Sequence, residues 1–238
     1  MINVHRYPDE YSALSGAGRA LNDLIIRFSG NDILLLASGG SALRVMDSIK
    51  SEHLSSRLTI IPLDERFSTD PEVNNFLLLT RTNLASRARQ QGVNFLDTSV
   101  RAGDAPDTLA HRYEQQLRHW RETHPQGLIL ATFGIGADGH ISGIMPFPED
   151  PERFRQNFVD TERWVIPYDA SGKNPYPLRV TTTLAFLRMV SGGVVYVTGQ
   201  DKAEPLHRTL APEGTLAETP ARFLNGLTLV SLHTDIAE

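Results

Sequence analysis

The stretch from Leu128 to Pro146, "LILATFGIGADGHISGIMP", carries glycines at 134, 136 and 139 in a GxGxxG spacing, with His140 directly after the last of them. It reads either as a dinucleotide-binding turn or as a loop that presents a histidine. The dinucleotide fingerprint needs a long helix opening from the loop and, about 20 residues on, an acid that ends a strand. Pro146 and Pro148 stop a helix from running through this segment, and "RQNFVD" before Asp160 makes a poor strand. The segment also lies past the middle of the chain, behind two strand-loop-helix units, whereas the fingerprint belongs to a first βαβ unit. The spacing alone therefore does not make a nucleotide site.

Outward from this stretch the hydrophobic pattern alternates between two periods. Tyr11, Leu14, Leu21, Leu24, Ile25 and Phe28 recur at helical spacing, and the buried strand "DILLLA" follows. Then come "SGGS", the helical "ALRVMDSIKSEHL", and a second buried strand, "RLTIIPL", ending at Asp64-Glu65-Arg66. A helix through "NNFLLLTRTNLAS", a short strand "VNFL" and a helix carrying Leu109, Tyr113, Leu117 and Trp120 lead into "GLILATF". Later strand candidates are "RWVIPY", "LRVTTT", "GGVVYVTG" and "LTLVSLH", and "QDKAEPLHRTL" reads as a helix. This alternation predicts an α/β fold: a doubly wound, mostly parallel sheet with helices on both faces. No linker, low-complexity segment or repeat interrupts it, so one domain over residues 1–238 is expected.

Composition narrows the function. The chain has 238 residues, a net charge of -5 and no cluster of Lys and Arg, which argues against nucleic acid or an anionic membrane as the main partner. It has no cysteine, which excludes disulfides, thiol nucleophiles and thiolate metal sites. The N-terminal "MINVHRYPDEYSAL" is too polar for a signal peptide, and no apolar run approaches the roughly 20 residues of a membrane helix. A cytoplasmic protein, monomeric or a small homo-oligomer, is expected. The histidines show no H-E-x-x-H or comparable spacing, so neither a metal site nor a cofactor is expected.

In an open parallel sheet, ligands bind outside the carboxyl ends of the strands. Four such places carry chemistry. In "SGGS", Gly39 and Gly40 let successive N–H groups approach an anion, with the Ser38 and Ser41 hydroxyls as further donors; a plain βα turn capped by Ser41 is the alternative. Asp64 and Glu65 are candidates for base or orienting carboxylate, and Arg66 for a fork onto ligand oxygens, unless the cluster is a surface turn. His140 beside Asp138 supplies a base near neutral pH, or is an incidental loop residue. Lys202 opens a predicted helix, where a lysine opposes the dipole unless an anion lies nearby, and Arg179 enters the strand "RVTTT"; either is otherwise a surface cation.

Taken in order, "SGGSAL", "DERFSTDPEVNNF", "GIGADGHISGIMP", "RVTTT" and "GQDKA" resemble the 6-phosphogluconolactonase family, whose members read like S-G-G-S-T-P, D-E-R followed by S-N-Y, G-x-G-x-D-G-H-T-A-S-L-F-P, R-I-T-L-T and G-x-x-K-A. The resemblance spans nearly the whole chain, and it makes the glycines a turn that presents Asp138 and His140. It implies a small phosphorylated sugar lactone as substrate, hydrolysed without a metal in the pentose phosphate pathway. Gly39, Gly40, Ser41, Arg179 and Lys202 would hold the 6-phosphate, His140 would activate a water, Asp138 or Asp64 would orient it, and Arg66 is a candidate oxyanion donor. Ser38, Glu65 and Asn75 complete the expected binding set, Asn75 keeping the amide of the S-N-Y match. The chain departs from the family at Ile141 to Met145 and at Ala42-Leu43.

The nearest rival is a glucosamine-6-phosphate deaminase, whose loop resembles D-G-H-I-A-F-N-E-P. Ile141 fits that loop, but its glutamate, five residues after the histidine, is here Met145, and Glu149 is too far along to substitute. A non-catalytic sugar-phosphate sensor on the same fold would need an output module, for which the chain has neither spare length nor a basic patch.

Overall fold

The computed structural model describes residues 2–237. Seven parallel strands form one sheet in the order β1-β10-β9-β6-β2-β3-β5. They are β1 (Asn3–Arg6), β2 (Ile33–Ala37), β3 (Leu58–Pro62), β5 (Asn94–Phe95), β6 (Leu128–Phe133), β9 (Val190–Val197) and β10 (Val230–Thr234). The central strands are predominantly apolar because successive side chains go to opposite faces and both faces are covered. Leu34, Leu36, Ile61, Ala131 and Phe133 pack with Leu109, Tyr113, Leu117 and Trp120 of helix α4 (Pro106–Thr123). Ile33, Leu35, Ile60 and Leu130 pack on the other side with Ala13, Ala17, Leu21 and Ile25 of helix α1 (Glu10–Arg27). The α/β fold with helices on both faces is as the alternation predicts.

Besides the helix expected through "NNFLLLTRTNLAS", which is split into two (Asn75–Thr80 and Asn83–Gln90), three elements differ from the sequence reading. The polar "NVHR" of β1 gives no strand pattern, yet it pairs in parallel with β10 as an edge strand. "ALRVMDSIKSEHL" is not an α-helix but two 3₁₀ segments, Gly40–Ser48 and Ser51–His53. Tertiary partners take its carbonyls: Asn22 Nδ2 donates to Ser48 O at 2.8 Å, and Arg87 donates to Ile49 O at 2.7 Å and Asp47 O at 3.0 Å. Third, Asp64–Arg66 (β4), Val165–Asp169 (β7) and Leu178–Thr182 (β8) leave the parallel sheet and form an antiparallel one in the order β4-β8-β7. The loop between β7 and β8 is too short for the crossover that parallel pairing requires.

The remaining helices are short: α2 (Asn75–Thr80), α3 (Asn83–Gln90), α5 (Pro151–Phe154), α6 (Leu184–Leu187) and α7 (Ala203–Leu210). No helix among the described residues is long and apolar enough to cross a membrane.

The β1–β10 edge carries a buried histidine, His233. The Tyr7 hydroxyl lies 3.0 Å from His233 Nδ1, Ser231 Oγ lies 3.0 Å from Nε2, and the His5 ring stacks on it at 4.9 Å. Burial, then the nearby charges of His5 and Arg19, push the His233 pKa down to about 4 from an ordinary 6.5. The folded chain thus binds this proton more weakly than the unfolded one. Its contribution to stability is complete above about pH 6.5 and is lost as the pH falls toward 4, by about 2–3 kcal/mol at pH 4.5. Thermal melts between pH 7 and 4.5 are expected to show this fall, and His233→Gln to flatten it. An unchanged slope in that variant would remove His233 as the cause.

Candidate active site

The chain runs from β2 to β3 and β5 on one side and returns through β6, β9 and β10 on the other, so the strand order reverses between β2 and β6. The loops leaving these two strands part at that point and leave a crevice beyond the carboxyl ends. A cleft of about 260 Å³ lies there, and of the sequence-predicted residues it gathers Ser38, Gly39, Gly40, Ser41, Asp64, Arg66, Asn75, His140, Arg179 and Lys202.

One wall is the loop after β2. Gly39 begins the Gly40–Ser48 3₁₀ segment with no side-chain cap, so its first N–H groups have no side-chain acceptor; Ser41 does not cap it. Gly40 takes φ +60, and a Cβ on Gly39 would lie 2.6 Å from Asn75 Oδ1. Lys202, from the turn after β9, donates to Ser41 Oγ at 3.2 Å and has no ion pair among the described residues. Backbone donors and an ammonium without an ion pair thus meet here, which suits an anion.

The floor is β4. Asp64 and Arg66 line the cleft, whereas Glu65 points to the other side of the strand, because side chains alternate. Glu65 is fully buried and accepts from the backbone N–H of Asn75 (2.8 Å) and Phe76 (2.7 Å) and from the Thr98 hydroxyl (2.7 Å). Burial pushes its carboxyl up to about 8. Its place among the expected ligand contacts is corrected: it anchors the start of α2. The expectation of a possible surface turn also fails, since Asp64 and Glu65 are buried.

Arg179, on β8, is buried and ion-paired with Asp64. That pairing removes Asp64 as the orienter of His140 and neutralises one of the two cations expected to hold a phosphate. Asn75 Nδ2 donates to Asp64 O at 2.8 Å. Three buried polar atoms of cleft residues have no hydrogen-bond partner: Asn75 Oδ1, Arg66 Nε and Arg179 Nε.

The opposite wall is the loop after β6. It closes on itself, Gly139 N donating to Gly136 O at 2.9 Å and Gly136 N to His140 O at 3.0 Å. A Cβ on Gly136 would lie 2.0 Å from His140 Nδ1, so the imidazole occupies the face that only glycine leaves open. Asp138 Oδ1 accepts from His140 N at 3.0 Å and contacts Nδ1 at 2.6 Å. Burial raises the Asp138 carboxyl, but the hydrogen bond and charge of His140 outweigh it and hold it below the usual range. An ionised carboxylate can only accept, so Nδ1 carries a proton, and in the neutral ring the lone pair is then on Nε2. Asp138 itself stands behind His140, outside the cleft lining.

Ser142 also lines the cleft and was not anticipated. It is the one non-glycine described residue with positive φ (+54), and its hydroxyl donates to Leu63 O at 3.1 Å beside those of Thr181 and Thr182. Its only sequence signal was a hydroxyl two residues after the histidine. Among the described residues no group of three His, Asp or Glu is arranged to hold a metal.

Residues 19–230 match the profile of the family described as glucosamine-6-phosphate isomerases/6-phosphogluconolactonase. The chain is 24% identical over 222 residues to a 6-phosphogluconolactonase of Xylella fastidiosa (strain 9a5c), covering 90% of this chain and 88% of that one. It is 30% identical over 157 residues to the 6-phosphogluconolactonase of Rattus norvegicus, covering 65% and 57%. Among solved structures, that of the Trypanosoma brucei 6-phosphogluconolactonase superposes with a TM-score of 0.77 at 19% identity, covering 98% of this chain and 96% of that one. The Thermotoga maritima 6-phosphogluconolactonase gives 0.71 at 23% identity, covering 98% and 99%. With the profile spanning most of its length and the fold shared, the chain belongs to the glucosamine-6-phosphate isomerase/6-phosphogluconolactonase family.

Proposed function

We propose that the chain, acting as one domain over residues 1–238 in the cytoplasm, hydrolyses 6-phospho-D-glucono-1,5-lactone to 6-phosphogluconate in the pentose phosphate pathway. The observation that carries this reading is His140, held through Nδ1 by Asp138 at 2.6 Å, in the same cleft as the uncapped Gly39–Ser41 turn and Lys202. The turn and Lys202 take the 6-phosphate. Nε2 of His140 removes a proton from water as its oxygen attacks the lactone carbonyl. Arg66 offers N–H donors to the oxyanion. Collapse breaks the bond between the carbonyl carbon and the ring oxygen, and the imidazolium returns the proton to that oxygen.

The family's other chemistry, deamination of an amino sugar phosphate, lacks its carboxylate here. Met145 is fully buried, and Glu149 lies outside the cleft, exposed and bound to Lys173. Phosphate recognition is tested by comparing the phosphorylated lactone with glucono-1,5-lactone. We expect kcat/KM to favour the phosphorylated substrate by about 10²-fold or more, and Lys202→Met to narrow that ratio about tenfold, as loss of a charge-assisted contact predicts. Equal rates on both lactones would remove the phosphate from the reading.

A further inference from the structure

Arg66 and Arg179 stand directly opposite each other on the β4–β8 ladder, and both line the cleft. Like charges so placed repel, and a fold keeps them only if something answers the charge. Asp64 answers that of Arg179. The Arg66 guanidinium has no ion pair or hydrogen bond among the described residues, and its buried Nε has no partner. What it touches is the ring of Tyr176, whose centroid lies 5.2 Å from Cζ.

Tyr176 sits in the loop that joins β7 to β8. Pro175 and Pro177 flank it, and each restricts the backbone around it. Ala170 N donates to Pro177 O at 2.8 Å, and Tyr176 N to Asn174 Oδ1 at 3.0 Å, so the loop is tied at both sides of the ring. Tyr176 is 41% exposed, so burial in a core does not explain its place.

We propose that Tyr176 is a positioning residue, whose ring face holds the Arg66 guanidinium at the cleft without neutralising it. A carboxylate there would also hold the arginine, but it would occupy its N–H donors and cancel its charge, as Asp64 does for Arg179. An aromatic face attracts the cation through its quadrupole and leaves the in-plane donors free. Those donors then meet the negative charge that develops on the lactone carbonyl oxygen, which is where this inference rests on the activity proposed above.

The test uses the purified full chain with three variants, Tyr176→Phe, Tyr176→Leu and Arg66→Ala, and the double variant Tyr176→Leu/Arg66→Ala. Tyr176→Leu is expected to lower kcat about 5- to 20-fold with KM changed less than threefold, while Tyr176→Phe, which keeps the ring, restores most of it. In the Arg66→Ala background Tyr176→Leu should cost less than twofold more. Equal losses in both backgrounds, or a Phe variant as impaired as Leu, would overturn the proposal. A second readout needs no turnover: the Arg66 Nε–H resonance, assigned by its loss in Arg66→Ala, should be shifted upfield by the ring current, remain so in Tyr176→Phe and move downfield in Tyr176→Leu. A resonance unmoved in Tyr176→Leu would overturn the placement even in an active enzyme. A wild-type chain that leaves the lactone at its spontaneous rate would sink the proposed activity, and the resonance would still judge the contact.

Discussion

Replacing His140 by alanine is expected to lower kcat for lactone opening by about 10²- to 10⁴-fold, the range a positioned general base contributes. The spontaneous opening of the lactone must be subtracted first, because it sets a floor under any variant. Stability should change by less than about 1 kcal/mol, since the partly exposed ring rests on Gly136 in a loop closed by its own backbone hydrogen bonds. Affinity for 6-phosphogluconate should stay within about threefold, because the backbone donors of Gly39–Ser41 and Lys202 are untouched. Gly136→Ala reaches the same end with the histidine intact: its Cβ would lie 2.0 Å from Nδ1, so the ring must leave Asp138. A His140→Ala enzyme with near wild-type kcat/KM would make the base assignment wrong, and the buried carboxylate of Asp64 would be examined next.

The second large effect concerns the ion pair beneath the cleft. The Asp64 and Arg179 side chains are 5% and 4% exposed, so removing either leaves a charge that water cannot reach. Asp64→Ala and Arg179→Met are each expected to cost about 3–5 kcal/mol in denaturant unfolding. The double variant should cost well below the sum, with a coupling of about 2 kcal/mol or more, because no uncompensated charge remains. Activity should not return with stability, as Arg179 lines the cleft and its Nε is unpartnered. Additive costs would mean that the two groups do not depend on each other, contrary to their contact.

What the sequence conveys and what it withholds follow from the range of the interactions involved. The apolar runs of β2, β3, β6 and β9 are legible because a strand covered on both faces is predominantly apolar, and from them the crevice at the strand-order reversal follows. The GxGxxG is separated from a nucleotide site by two prolines, a local signal. The side of Glu65 is hidden for a reason equally local: "DER" reads as the end of a strand, but it forms a strand itself, and period two then sends Asp64 and Arg66 to the cleft and Glu65 away from it. The 3₁₀ form of Gly40–Ser48 and the edge strand β1 have no local signal. The first depends on Asn22 and Arg87 reaching its carbonyls, and the second on β10, which lies at the other end of the chain. That Asp64 is paired with Arg179 across the β4–β8 ladder, leaving Asp138 as the carboxylate on His140, likewise depends on a distant residue.

One pair of assays addresses lactone hydrolysis itself. Purified chain is given 6-phosphogluconolactone and, separately, glucosamine 6-phosphate at the same concentration, and acid release and ammonia release are followed against enzyme-free controls. The expected result is lactone opening far above the spontaneous rate and no ammonia, as a cleft with His140 but with Met145 buried where a carboxylate would be needed requires. Ammonia released as fast as or faster than the lactone opens, or lactone opening no faster than the control, would contradict it.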